Sequence, residues 1–385
     1  MQNENLSRKA KALKPFMAMD ILERAQQLER EGRSIIHLSV GEPDFPTPKA
    51  ITERAVQALN DDKTHYTHSL GTFELRQAIA DHYLKRYRVK INPEQILVTS
   101  GTSPALMLAC AALLNPGDKV IVSDPGYACY GNFISYCDGT PQLIKVYEDN
   151  GFQYDPHVIK KSITPQTKAI LINSPANPTG NLLEKERMQE LAGLGITLLS
   201  DEIYHGLVYE GSEHSILEFT DNAFVFNGFS KLYAMTGWRL GYLIAPPRYM
   251  RVLQTLQQSF MISASHFGQI AALTALTSDE VAKDLKRMCE IYDERRRFTL
   301  KRVREIGLGV AVEPTGAFYI FANAKKFTAD SYNFAFEILE KAGVGVTPGI
   351  DFGENGEGFL RFSYANSLEN IAEGMNRLER FLQKL

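Results

Sequence analysis

The chain has 385 residues, 44% of them hydrophobic and 23% charged, with a formal net charge of −3. At roughly 150 residues per domain that length predicts two or three domains, each able to bury a core without staples. The near-neutral balance speaks against a nucleic-acid binder, which carries a basic face, but not against a protein that grips a small anion with a few residues. Cys110, Cys129, Cys137 and Cys289 form no CxxC pair and have no histidines at zinc spacing. Neither a disulfide framework nor a metal site is expected, and reduced thiols fit a cytoplasmic protein. The N-terminal "MQNENLSRKAKALKPF" is polar, without the apolar centre of a signal peptide, and no apolar run is long enough to span a membrane.

In chain order, the polar start to about Phe16 reads as an arm, and "AMDILERAQQLEREG" as an amphipathic helix closed by Gly32. "SIIHLSVGEPDFPTP" reads as a strand entering a turn-rich loop. To about residue 275, short apolar runs alternate with helical stretches. "QILVTSG" leads into "SPALMLACAALL", "KVIVSDPG" into "YACYGNFISYC", and "KAILINSP" towards "EKERMQELAGL"; "ITLLSDE", "AFVFNGF" and "LGYLIAP" follow. Continuous apolar runs suit strands buried on both faces of a mostly parallel sheet. Ser278 to about Ile306 is a long charged helix, and "GAFYIFAN" and "GFLRFSYA" are strands of a different neighbourhood. The last helix carries Ile371, Met375, Leu378, Leu382 and Leu385 on one stripe. The fold expected is α/β, a large domain with a mostly parallel mixed sheet flanked by helices, joined to a smaller α+β domain. The boundaries read as 1–45 for the arm and a small-domain segment, 46–280 for the large domain and 281–385 for the C-terminal small domain.

Ligands of open α/β sheets lie beyond the carboxyl ends of the strands, so the residues just after each strand matter most. After "QILV" the N–H groups of Gly101, Thr102 and Ser103 open a helix and would face an anion, although a capped helix start is the plainer reading. Asn177 sits in the rigid loop "SPANPTG", as a turn residue or with its amide held for a ligand. Asp201 and Tyr204 follow "ITLLS"; a carboxylate there needs a partner, a structural ion pair or a protonated ring nitrogen. Ser230 and Lys231 follow "FVFNGF", with Arg239 eight residues on. Lys231 is either a solvated cation or an amine whose pKa is lowered by burial and a neighbouring cation. One ligand uses the whole set: pyridoxal 5′-phosphate, which needs a lysine, an acid at its ring nitrogen, donors to its ring oxygen and an anion site.

The segments "SVGEPDFPTP", "HYTHSLGTFELRQAIA", "VTSGTSPAL", "DPGYACY", "NSPANPTG", "SDEIY", "FSKLYAMTGWRLGY" and "LRFSYA" occur in the order found in class I/II aminotransferases of fold type I, near the aspartate aminotransferase group, which the chain resembles from about Gly41 to Ala365. The resemblance implies Lys231 as the Schiff-base residue and proton shuttle and Asp201 as partner of the pyridine nitrogen. It implies Asn177 and Tyr204 on the ring hydroxyl oxygen, Gly101, Thr102, Ser103, Ser230 and Arg239 around the phosphate, and Tyr127 on the ring face. Arg361 would bind the substrate α-carboxylate, with Gly41 backbone beside it. Tyr66 resembles a residue that reaches the phosphate of a neighbouring subunit, which implies a homodimer with shared sites. The expected activity moves an amino group from an L-amino acid to a 2-oxo acid by a ping-pong route. Dicarboxylate-specific relatives often carry a lysine in the loop where this chain has Ser103. A neutral side chain is therefore expected, with Phe16, Tyr66 and Tyr127 as pocket walls. The alternatives are a carbon–sulfur β-lyase on the same cofactor and a non-catalytic regulator. No GxGxxG follows a strand, which sets a nicotinamide dehydrogenase aside.

Overall fold

A computed structural model describes residues 6–385. Its strands are β1 (Ile36–His37), β2 (Ile96–Thr99), β3 (Lys119–Asp124), β4 (Thr140–Lys145), β5 (Thr167–Asn173), β6 (Thr197–Asp201), β7 (Ala223–Gly228), β8 (Gly241–Ile244), β9 (Tyr319–Asn323), β10 (Val344–Gly345), β11 (Thr347–Pro348) and β12 (Phe359–Ser363). Seven of these form one sheet in the order β2-β8-β7-β6-β5-β3-β4. The pairings are parallel except for β8, which runs antiparallel to both β2 and β7. The expected α/β class is what is found.

Helices cover both faces, so β2, β6, β7 and β8 are buried along their whole length. That is why they read as unbroken apolar runs rather than alternating ones. β4 sits at the sheet edge, and its "TPQLIK" is half exposed and mixed in polarity. It escapes sequence reading for that reason.

The topology gathers one end of each central strand. Thr99 pairs with Gly241, Gly228 with Gly241, and Asn173 with Asp201. The segments that follow β2, β5, β6 and β7, together with the one that enters β8, therefore meet on one edge of the sheet.

A second layer holds β11, β12 and β9 as an antiparallel sheet, with β1 paired to β10 beside it. The 27-residue helix Asp279–Glu305 packs there through Tyr292, Leu300 and Val303. Helix Met17–Arg30 buries Ile21, Ala25 and Leu28 in the same core, against Ile338, Leu339 and Ile371. The last helix, Leu368–Leu382, buries Ile371, Met375, Leu378 and Leu382. Leu385 does not continue that stripe: it lies beyond the helix end and is 64% exposed.

Candidate active site

Twelve of the residues singled out above line one cavity of about 370 Å³: Phe16, Gly41, Thr102, Ser103, Tyr127, Asn177, Asp201, Tyr204, Ser230, Lys231, Arg239 and Arg361. They come from regions of the chain more than 300 residues apart, and the strand-end convergence brings most of them together. A larger cavity, about 860 Å³, lies between helices Phe73–Tyr87, His266–Thr277 and Asp279–Glu305, and none of these residues lines it. Tyr66 is not in the cavity either; its side chain is 79% exposed.

Lys231 follows β7 on the short hairpin loop that leads into β8. Its Nζ donates to the Gly41 carbonyl at 2.5 Å and stands 5.9 Å from the Tyr204 ring centre. Burial, and next the Arg361 cation, pull its pKa from 10.5 to about 8, with Arg239 adding to the effect and Glu42 and Asp201 opposing it. A neutral, nucleophilic amine is therefore accessible near physiological pH, which an ordinary solvated lysine does not offer.

Asp201 ends β6 and is buried. Burial raises its pKa; the Tyr130 hydroxyl, donating to Oδ2 at 2.7 Å, and the Ile203 N–H, donating to Oδ1 at 3.2 Å, work against that rise, as does the Lys231 charge. Asn173, at the end of β5, donates to the Asp201 carbonyl at 2.9 Å and accepts from the Asn177 N–H at 2.8 Å. One side chain thus registers the Asn177 loop against the Asp201 strand.

The amino end of helix Thr102–Leu113 opens on the same cavity. Gly101 has φ +101°, and a Cβ there would stand 2.5 Å from Arg239 Nη2. The guanidinium is packed against backbone where free N–H groups emerge, an arrangement suited to an anion. Opposite, Arg361 is buried on β12. Its Nη1 donates to Asn177 Oδ1 (2.8 Å), and its Nη2 donates to the Ser39 carbonyl (2.6 Å) and Thr347 Oγ1 (3.1 Å). Its Nε is buried with no partner among the described residues. The guanidinium lies over the rings of Tyr319 (4.5 Å) and Phe352 (4.9 Å). The Tyr319 hydroxyl pairs with that of Tyr204 at 2.8 Å, and a Cβ on Gly41 would collide with it, so glycine is required there. Phe16 meets Tyr127 edge-on at 5.9 Å.

Tyr130, Asn173 and Tyr319 belong to the site but were not among the expected residues. Tyr130 had a usable signal, standing three residues after Tyr127 at the first position of helix Tyr130–Tyr136. Tyr319 looks like any core aromatic of a strand.

An amine, an acid, an anion cradle and a spare arginine donor, on a sheet of this topology, are what the fold-type I pyridoxal 5′-phosphate enzymes use. The chain belongs to the aminotransferase class I and II family, whose profile matches residues 33–378. It is 42% identical over 383 residues, 98% of this chain and all of the other, to a (5-formylfuran-3-yl)methyl phosphate transaminase of Methanocaldococcus jannaschii. It is 39% identical to an aspartate aminotransferase of Pyrococcus horikoshii, over 94% of each chain. A solved aspartate aminotransferase of Thermus thermophilus with maleate superposes with a TM-score of 0.94 at 36% identity, covering 97% of this chain and 99% of that one. The chain is therefore a pyridoxal-phosphate-dependent aminotransferase near the aspartate aminotransferase group, and the lyase and regulator alternatives are set aside. The residues present fit the cofactor: the Gly101–Arg239 cradle suits a phosphate, the buried Asp201 carboxyl a cationic ring nitrogen, and the Lys231 amine a carbonyl.

Proposed function

We propose that this aminotransferase takes the amino group of an L-amino acid with an uncharged, apolar side chain and passes it to a 2-oxo acid. One observation carries the substrate class. Among the described residues, the cations lining the cavity are Lys231, Arg239 and Arg361, and each has a role in the cofactor or α-carboxylate scheme. None of these is left over for a second carboxylate, and this chain has Ser103 in the loop where dicarboxylate-specific relatives often carry a lysine. The wall offered to a side chain is Phe16, Ala18, Met19, Leu22, Leu106 and Tyr127, with Glu42 as the nearby acid. The relatives' names span a furan phosphate, aspartate and aromatic amino acids, and so do not choose among substrates.

Pyridoxal phosphate, when bound, supplies an electron sink for the pair released at the substrate α-carbon. Lys231 would hold it through Nζ, and the same atom would then take the α-proton and return it. Asp201 would keep a ring nitrogen protonated, with Tyr130 steadying the carboxylate. Asn177 and Tyr204 would donate to the ring oxygen, and Tyr127 would pack on the ring face. Gly101, Thr102, Ser103, Ser230 and Arg239 would hold the phosphate. Arg361 would turn its unpartnered Nε to the substrate α-carboxylate, beside the Gly41 backbone.

The division into 1–45, 46–280 and 281–385 is part of this reading. It is supported by the start of the long helix at Asp279 and by the pairing of β1 with β10. So is a homodimer in which Tyr66 completes the neighbour's phosphate site. Tyr66 is exposed, and its neighbour Thr67 donates to Ser263 Oγ, next to the exposed Phe260 and Ile262. Four free cysteines support a reducing, cytoplasmic setting. No helix among the described residues is long and apolar enough to cross a membrane.

Single L-amino acids added to the cofactor-loaded protein without oxo acid test the proposal by absorbance. Apolar donors should convert the lysine-bound band to the amine form, and a 2-oxo acid should restore it. Saturation by aspartate at lower concentration than by any apolar donor would overturn the substrate class. Conversion by a Lys231→Ala variant would overturn the residue roles.

A further inference from the structure

The cavity wall that faces the substrate side chain begins where helix Met17–Arg30 begins. Phe16 stands at the N-cap of that helix and offers no side-chain acceptor for its first N–H groups. An apolar N-cap leaves orphan donors that a helix start ordinarily satisfies from its own sequence. Here the acceptor comes from 334 residues away. Asp351 Oδ1 accepts from the Met17 N–H at 2.9 Å, and Asp351 Oδ2 accepts from the Ala18 N–H at 3.1 Å. Asp351 is buried, lies outside the cavity lining, and directly precedes Phe352, whose ring supports Arg361. The Phe352 carbonyl in turn accepts from the Gly126 N–H at 2.9 Å, next to Tyr127.

We propose that Asp351 is a positioning residue for substrate selection, clamping the start of helix Met17–Arg30 so that Phe16, Ala18 and Met19 hold the side-chain wall at a fixed distance from Arg361. The inference rests on the apolar-substrate reading above. One carboxylate ties the wall to the short turn that also carries the support of the α-carboxylate arginine. The two ends of an amino-acid substrate, its carboxylate and its side chain, are thereby gauged against each other. A donor too short to reach Phe16 does not sense the clamp; a long apolar donor does.

The test compares wild type, Asp351→Ala and Asp351→Asn as holoenzymes, with L-alanine and L-phenylalanine as donors and one 2-oxo acid as acceptor. Loss of an N-terminal cap corresponds to about a five- to tenfold change in an equilibrium constant. KM for phenylalanine should rise by about that factor in Asp351→Ala, with kcat and the absorbance of the bound cofactor unchanged. KM for alanine should stay at the wild-type value. Asp351→Asn keeps one acceptor oxygen and the shape, so it should fall between the two; it also reads the clamp if the alanine variant does not fold. Equal rises for both donors, or loss of cofactor, would overturn the proposal in favour of a general structural role, and wild-type values for both would overturn it outright. A wild-type preference for aspartate would sink the substrate reading alone, because the alanine–phenylalanine contrast is still measured.

Discussion

Replacing Lys231 by methionine should stabilise the cofactor-free protein at neutral pH while abolishing its activity. The folded chain holds this amine at about 8, against 10.5 for an ordinary lysine. Between those values the unfolded chain binds a proton that the folded chain has released, so wild-type stability rises with pH from about 8 to 10.5. Below about 8 both states are protonated and the full cost of the buried charge is present. The interval of about 2.5 pH units corresponds to at most about 3.4 kcal/mol at 1.36 kcal/mol per unit. Solvent entering the cavity reduces this to about 1–2 kcal/mol. Methionine has a similar length, no charge and nothing to titrate. The lost hydrogen bond to the Gly41 carbonyl subtracts a nearly constant amount and leaves the slope intact. Denaturant unfolding of the two apoproteins from pH 7 to 10 gives the difference directly, with all other titrating groups cancelling. The variant's advantage should shrink as pH rises. A difference that is flat in pH would refute the argument that burial and Arg361 depress this lysine.

Arg361→Lys should raise KM for the amino donor by about ten- to a hundredfold while leaving cofactor affinity near wild type, since an ammonium cannot reproduce the guanidinium's several donors. Steady-state kinetics beside a cofactor titration separate the two; cofactor loss as the main effect would mean that Arg361 is misassigned. Tyr130→Phe removes the 2.7 Å hydrogen bond to Asp201 and lets burial push that carboxyl further up. Cofactor binding should weaken by about tenfold, and activity should be lost on the acid side at higher pH than in wild type. An unchanged pH profile would show that Tyr130 does not tune the acid.

Where the sequence speaks plainly, a residue's neighbours in the chain share its environment. β6 and β7 are legible because every position along them is buried, and Asp201 and Lys231 stand out because a charge directly after such a run is costly unless used. β4 was missed because an edge strand has mixed surroundings. Tyr130 and Tyr319 pass for core aromatics, since only a third dimension shows their hydroxyls meeting Asp201 and Tyr204. Asp351 has no local signal, because its partners are on the other end of the chain. Leu385 shows the opposite error: the apolar periodicity runs on past the end of helix Leu368–Leu382, to a side chain that is exposed.

The reversed direction of β8 has an architectural consequence. A parallel partner for β7 would require a crossover back across the sheet, and the chain would enter it at the opposite edge. The antiparallel step instead returns the chain at once, so Lys231 and Arg239 belong to a single loop from Phe229 to Leu240 whose ends are pinned by the pairing of Gly228 with Gly241. The spacing of amine and guanidinium is then a property of loop length, like the jaw of a gauge. Helices elsewhere in the sheet can lengthen or drift without altering it, whereas one residue inserted in this loop would reset it.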